Sequence, residues 1–297
     1  MNKTGNVFTK VRNAIGALFI VAIVLIVPLF SVWQIGRFFY GGPKRSDKAL
    51  SSLVTRPADT NQTDPRLFDE PLISVTFDDG YETTYTKAMP LLQKYGIRTT
   101  QYVLSGTADD PTYVSWGQIK RMQEAGHEIA CHTVNHADLR TLDDEDLDIQ
   151  VRTCKEELSK RFGPVYNFAS PYGSQDKRTL AVIGKYFKSQ RNTNGDPTNG
   201  VSAVDVNLRA NFDPINIIGV TVRQDTTVEQ LRQLVAYTKA NNAWLVLTYH
   251  QADDHNSKFS VTEKDFEHQF AYLSSTDVRI VTMQEALKNY KQQRVGQ

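Results

Sequence analysis

The sequence has almost no net charge: 34 Lys and Arg stand against 33 Asp and Glu, a formal balance of +1 over 297 residues. With no global field of either sign, a nucleic-acid-binding reading has nothing electrostatic to stand on. Cysteine is nearly absent. Cys131 and Cys154 are the only two and neither lies in a CxxC pair, which excludes a disulfide framework. A single bridge between them is allowed, but Cys131 sits beside His132 and reads more simply as a buried strand residue. No internal repeat occurs. What remains is ordinary for a folded protein, with 40% hydrophobic and 23% charged residues. The length suits one substantial catalytic domain or two small ones.

The first forty residues differ in kind from the rest. From Ala14 to Trp33 the chain is apolar apart from Gly16, Pro28 and Ser31. At about 1.5 Å per residue this run spans a hydrocarbon core of roughly 30 Å. Lys3, Lys10 and Arg12 precede it, as in a signal peptide, but the run is too long and no small-x-small cleavage site follows. Trp33, Phe38, Phe39 and Tyr40 suit an aromatic belt. Residues 1–40 are therefore expected to form an uncleaved, single-pass anchor. Arg37, Lys44 and Arg45 balance the basic residues on the other side, so charge does not choose the orientation. Residues 41–70 are polar and rich in Ser, Thr, Asp and Pro, the composition of a linker, and 71–297 form the expected catalytic domain.

Strand and helix signals alternate through that domain. Strands are expected at Leu72–Phe77, Thr99–Leu104, His127–Cys131, Val165–Ala169, Ile217–Val222, Trp244–Tyr249 and Arg279–Thr282. Helices are expected at Thr84–Tyr95, Trp116–Ala125, about 143–162, Lys177–Tyr186, Val228–Asn241, Thr262–Leu273 and Gln284–Lys291. The acidic stretch Asp143–Asp148 is most simply a solvated face. Such alternation predicts an α/β architecture with a parallel sheet, and a barrel-like closure would put function at the C-terminal strand ends.

Four clusters fall at those ends. Asp78 and Asp79 in Thr76-Phe77-Asp78-Asp79-Gly80 repel each other, and burying them is costly without a cation or partner, although Asp-Gly alone also marks surface turns. His132 and His136 in His132-Thr133-Val134-Asn135-His136 are spaced i, i+4, which on one face of a helical turn lets both reach one ion. Half of the six histidines fall between 127 and 136. With Asp79 they make a two-imidazole, one-carboxylate set that leaves positions open for water and substrate. Asp78 is then left to take a proton from water acidified by the cation. Tyr172, between Pro171 and Gly173, lies in a turn able to aim a backbone N–H at an oxyanion. His250, closing Leu247-Thr248-Tyr249-His250, suits a general acid. Each of the last two is weak alone, since tight turns and surface histidines are common.

Taken together, TFDDG at 76–80, HTVNH at 132–136, SPYG at 170–173 and LTYH at 247–250 resemble, in order and spacing, the polysaccharide deacetylase family, the NodB-homology group of carbohydrate esterase family 4. The resemblance runs from about Pro71 to Tyr290. It implies a distorted (β/α) barrel with fewer than eight strands. It also implies Asp78 as general base, and Asp79, His132 and His136 as ligands of one divalent metal. Zinc is expected, with cobalt, nickel and manganese tolerated by such ligands. Tyr172 would offer its backbone N–H to the oxyanion beside Pro171, His250 would protonate the leaving amine, and Leu247 would line the pocket for the acetyl methyl. The implied substrate is an acetylated polysaccharide, foremost N-acetylhexosamine units of a cell-wall or extracellular glycan, met by an extracytoplasmic catalytic domain. There are departures. Family members often carry an arginine where Ala169 stands, steadying the base, and an Asp-Trp motif whose Asp supports the catalytic His. Arg223 and Asp225 are candidate substitutes.

Three other readings compete. O-deacetylation of a sugar polymer uses the same site. The missing arginine would fit an inert, membrane-tethered glycan-binding protein. A non-haem iron oxygenase also uses two histidines and a carboxylate, but it leaves Asp78 and the LTYH strand end without a role.

Overall fold

A computed structural model describes residues 70–108, 110–195 and 201–288. The expected anchor, and the expected linker up to residue 69, lie outside the described residues. Among the described residues no helix is long and apolar enough to cross a membrane.

The domain is a curled parallel sheet wrapped by helices. Its strands are β1 (Leu72–Phe77), β2 (Thr100–Val103), β3 (Glu128–Cys131), β4 (Asn167–Ala169), β5 (Ser189–Arg191), β6 (Val220–Thr221), β7 (Trp244–Tyr249) and β10 (Arg279–Ile280), with β8 (Gln251–Ala252) and β9 (Ser260–Val261) paired apart. The order around the sheet is β5-β4-β3-β2-β1-β7-β6, all parallel. β10 pairs Leu72 and Ile73 at the start of β1, beneath β2, which joins β1 only at Thr76 and Phe77. Bonds such as Asn192 N–H to the Ile217 carbonyl and Gly195 N–H to the Gly219 carbonyl tie the β5 side to the segment entering β6. The path around the curl thus holds seven strands, in line with the expected reduced barrel.

Parallel neighbours require crossovers, and the helices supply them. They are α1 (Met89–Lys94), α2 (Trp116–Glu124), α3 (Asp144–Phe162), α4 (Lys177–Tyr186), α5 (Val228–Ala240) and α6 (Glu263–Ser274), with a last helix, α7, at 283–288. Local chemistry sets their starts: Ser115 with Gln118 and Thr227 with Gln230 form capping boxes, and Asp143 accepts from Asp146 N–H. The helix expected from Thr84 begins instead as a π-helical turn, Thr84–Ala88, before α1.

Strand residues alternate between two layers. Ile73, Val75 and Phe77 of β1 pack outward with Leu245, Leu247 and Tyr249 against Leu231 and Leu234 of α5 and Phe266 and Phe270 of α6. Leu72, Tyr102, Ala130, Ala169, Trp244 and Val246 turn inward and meet Val281, Met283 and Leu287, which fill the interior at the N-terminal strand ends. Burial on both faces explains the near-continuous apolar runs. Above this apolar layer the interior turns polar, and there the site lies.

Two expectations change. Cys131 is a buried strand residue but is not unpaired: it forms a disulfide with Cys154 of α3. Both point outward from β3 into the α3 interface, where apolar neighbours enclose the bridge. β5 was absent from the sequence reading because Ser189-Gln190-Arg191 has none of the apolar or β-branched character of a strand, although all three residues are buried.

Candidate active site

β1 runs out at Phe77, and the two aspartates are the first residues beyond it. Asp78 N–H still bonds the Tyr249 carbonyl at 2.9 Å, which extends the β1–β7 ladder and keeps Asp78 on the inner face, 1% exposed. The chain then turns at once. Asp79 has φ 68° and Gly80 φ 74°, and Gly80 N–H returns to the Asp78 carbonyl. A Cβ on Gly80 would also stand 3.2 Å from Val103 Cγ1, so this position needs glycine for conformation and for space. The reversal sends Asp78 and Asp79 to different partners.

Asp79 meets the histidines. His132 leaves β3 with its N–H on the Val103 carbonyl, and its Nδ1 lies 2.9 Å from the Ala169 carbonyl. A carbonyl only accepts, so Nδ1 carries the hydrogen and a neutral ring presents the Nε2 lone pair. Nε2 of His132 and of His136 lie 3.3 and 3.2 Å from the same Asp79 oxygen, Oδ1. The i, i+4 pair does not converge on a helical turn, as expected, but through a tight loop with Thr133 at φ 72° and His136 at φ 64°. Thr133 Oγ1 accepts the His136 N–H. Left-handed backbone is costly for residues with a Cβ, and four of the six such residues (Asp79, Thr133, His136 and Tyr172) ring this site.

One donor atom from each of Asp79, His132 and His136 lies within 4.8 Å of the others. Oδ1 of Asp79 is buried and has no hydrogen-bond partner among the described residues despite both nitrogens nearby. A buried carboxylate oxygen facing two imidazole nitrogens is a poor arrangement when nothing bridges them, and it is complete once a cation sits between them. The donor set therefore fits a divalent metal. Burial would raise the Asp79 carboxyl, but the close His132 ring, with His250 and His136, outweighs it and holds the group at about 2.

Asp78 meets a residue the sequence reading missed. Arg191, on β5, is fully buried, and its Nη2 donates to Asp78 Oδ1 and Oδ2 at 2.5 and 2.6 Å. Nη1 donates to the Asn192 carbonyl, and the guanidinium lies 4.9 Å from the centre of the Tyr102 ring. Arg191 is the register partner of Ala169 on the adjacent strand. The small Ala169 side chain leaves the inner face open for an arginine one strand away. Gly219 clears the other flank, since a Cβ there would stand 2.8 Å from Arg191 Cδ. The signal in the sequence was a lone arginine in a polar run, which carries no indication of a strand.

The third and fourth motifs also reach the site. Pro171 is buried at the start of a short 3-10 turn, Pro171–Gly173, and Tyr172 within it has φ 61°. The Tyr172 ring packs edge-on against His136 with centroids 4.4 Å apart and is 68% exposed, so it stands at the rim. Ser174 Oγ donates to Asp138 and ties this turn to the loop carrying His136. His250 follows β7 on the inner face. Burial lowers its imidazole below the ordinary range, against the pull of Asp78 and Asp79. Leu247 does not line the site. Strand alternation turns it outward into the core with Val75 and Val220, whereas Thr248 faces inward, its Oγ1 3.4 Å from that of Thr76. Nor does Asp225 support His250: it is exposed, and His250 Nδ1 is buried without a hydrogen-bond partner among the described residues.

Comparison with known proteins agrees with this geometry. Residues 67–186 match the family described as polysaccharide deacetylase. The chain is similar to a chitin deacetylase of Pestalotiopsis sp (31% identical, covering 37% of this chain and 37% of the relative). It is also similar to the peptidoglycan-N-acetylmuramic acid deacetylase PdaA of Bacillus subtilis (30% identical, covering 44% and 48%). The chain thus spans half or less of the length of these curated relatives. Among solved structures, the Xyl-CE4 domain of a multidomain xylanase from the hindgut metagenome of Trinervitermes trinervoides shares the fold. It aligns with a TM-score of 0.54 at 17% identity, over 75% of this chain and 92% of that one. The stretch that matches this family, residues 67–186, carries both aspartates, both histidines and the Tyr172 turn.

Proposed function

We propose that this protein is a divalent-metal-dependent hydrolase that removes acetyl groups from a polysaccharide, by N-deacetylation of N-acetylhexosamine units in a cell-wall or extracellular glycan. The observation that carries the reading is the division of the aspartate pair. Asp79 faces two imidazoles with an unpartnered oxygen, while Asp78, next to it in the chain, is held by Arg191. A metal held by Asp79, His132 and His136 would supply Lewis acidity toward the acetyl carbonyl and lower the pKa of water. Asp78, held in place by Arg191, takes the proton of the attacking water. The Tyr172 N–H is placed in this reading at the developing oxyanion, and His250 returns a proton to the departing nitrogen. The names of the relatives, chitin and peptidoglycan deacetylases, support the substrate class.

Loss of the supporting arginine was the ground for an inert glycan-binding protein, and Arg191 removes it. The disulfide supports an extracytoplasmic domain behind a single-pass anchor at 1–40, because such bridges persist in oxidising compartments. The test is acetate release from chitin oligomers, peptidoglycan and acetyl-xylan with zinc supplied. The expected result is release from the N-acetylated substrates, reduced by about 10²–10⁴-fold in Asp78→Asn. Release from acetyl-xylan alone would make it an O-acetyl esterase, and no release from any of the three would sink the hydrolase reading.

A further inference from the structure

His250 lacks the hydrogen bond that ordinarily orients a catalytic imidazole, yet it is not loose. Its Nδ1 is buried and has no hydrogen-bond partner among the described residues, while Phe259 lies beside its ring with centroids 5.1 Å apart and planes tilted by 31°. Two cations lie over the Phe259 ring, Lys258 Nζ at 5.0 Å and the Arg223 guanidinium at 5.9 Å from its centre. We propose that Phe259 is the positioning residue of His250, fixing the imidazole plane by ring packing in a site where no carboxylate among the described residues hydrogen-bonds it.

The loop that delivers Phe259 is built to hold it still. Gln251 and Ala252 pair with Ser260 and Val261, so the ten-residue excursion closes on itself directly after His250. Inside it, Asp254 accepts from Gln251 Nε2 and Asn256 N–H, and Asp254 N–H donates to Ser260 Oγ. Ser257 Oγ accepts the Phe259 N–H itself. The outer side is tied down by Gln224 N–H on the Lys258 carbonyl and the inner side by Thr83 Oγ1, which accepts from Ala252 N–H. Thr84 Oγ1 donates to the His250 carbonyl and fixes the backbone below the ring. With His250 and Phe259 both anchored, their contact is a fixed spacer. An aromatic pair at this distance is attractive and favours a limited set of ring orientations. Unlike a carboxylate, Phe259 places the imidazole without adding a negative charge or selecting a tautomer.

The inference rests on His250 as the general acid, and the experiment separates the two. In the full-length chain, Phe259→Ala, Phe259→Trp, His250→Ala and the double variant Phe259→Ala/His250→Ala are assayed with zinc on a chitin tetramer. Phe259→Ala is expected to lower kcat by about two- to tenfold with KM unchanged, the Trp variant to recover most of the loss, and Phe259→Ala to have no further effect in the His250→Ala background. Ring signals of His250, assigned in histidine-labelled protein by their loss in His250→Ala, should move in Phe259→Ala and return in Phe259→Trp, whether or not the substrate is turned over. An equal loss with and without His250, or unmoved ring signals, overturns the positioning role. Unchanged kcat in His250→Ala with moved ring signals overturns the acid assignment and leaves the contact standing.

Discussion

Asp78 and Asp79 are neighbours in the chain, yet they lie in opposite electrostatic surroundings. Asp79 faces two imidazoles, whereas Asp78 has its cation built in as Arg191. With side chains 0% and 2% exposed, this pair is nearly dry, so its value lies in the cost of breaking it. Arg191→Met leaves a buried carboxylate alone and should lower unfolding free energy by about 3–5 kcal/mol in chemical denaturation. Adding Asp78→Asn should return much of that loss, because the charge that lost its partner is then gone. If the double variant is as unstable as the sum of the two single ones, the pair is not coupled and Arg191 serves only packing.

β3 and α3 carry the second organising device. The Cys131–Cys154 bridge closes a loop with a sequence separation of 23 residues, and that loop contains both histidines of the candidate metal set. Cross-linking restricts the unfolded chain, and for a loop of this size the contribution is about 3 kcal/mol. Cys131→Ala/Cys154→Ala should therefore lose about that much stability. It should also weaken zinc binding in titration calorimetry, since the strand end that presents His132 is no longer pinned. Unchanged zinc affinity would mean that the hydrogen bonds of His132 and Thr133 hold the ligand loop without the bridge. The loop after β7 acts on the same principle, with hydrogen bonds replacing the covalent link.

The whole molecule should respond to acid before its carboxylates titrate. His127 is buried at the N-terminal end of β3, where its Nδ1 accepts Thr99 N–H at 3.1 Å. Burial, aided by the Arg98 charge, pushes its imidazole down to about 4 from 6.5. The unfolded chain thus binds a proton below 6.5 that the folded chain refuses until about 4. Stability is then complete above 6.5 and falls through that window, by up to about 3 kcal/mol from this group. Asp79 adds its loss only lower, between the ordinary carboxylate range and about 2. In His127→Asn the amide oxygen can take the Thr99 bond, so the decline in melting temperature between pH 7 and pH 4.5 should flatten. A slope identical to that of the parent protein would assign the acid sensitivity elsewhere.

Alternation of apolar runs and helical spacing made most of the sheet legible, because β1 and β7 are buried on both faces and run mostly apolar. β2 and β3 keep enough apolar and β-branched residues to be read as strands. The grouping of Asp79, His132 and His136 was legible too, since they lie in short motifs at strand ends. Three things were not. β5 is a strand by its neighbours' hydrogen bonds rather than its own residues, so Arg191 could not be placed. Leu247 and Thr248 differ by one position, and strand alternation sends them to opposite faces, which a motif string does not express. The disulfide depends on β3 and α3 meeting across a crossover. The sequence by itself determined which side chains the candidate site gathers from its four motifs, because residue types at strand ends are local properties. Only the tertiary structure decided what holds them, because Arg191 and Phe259 reach Asp78 and His250 across gaps that the fold alone closes.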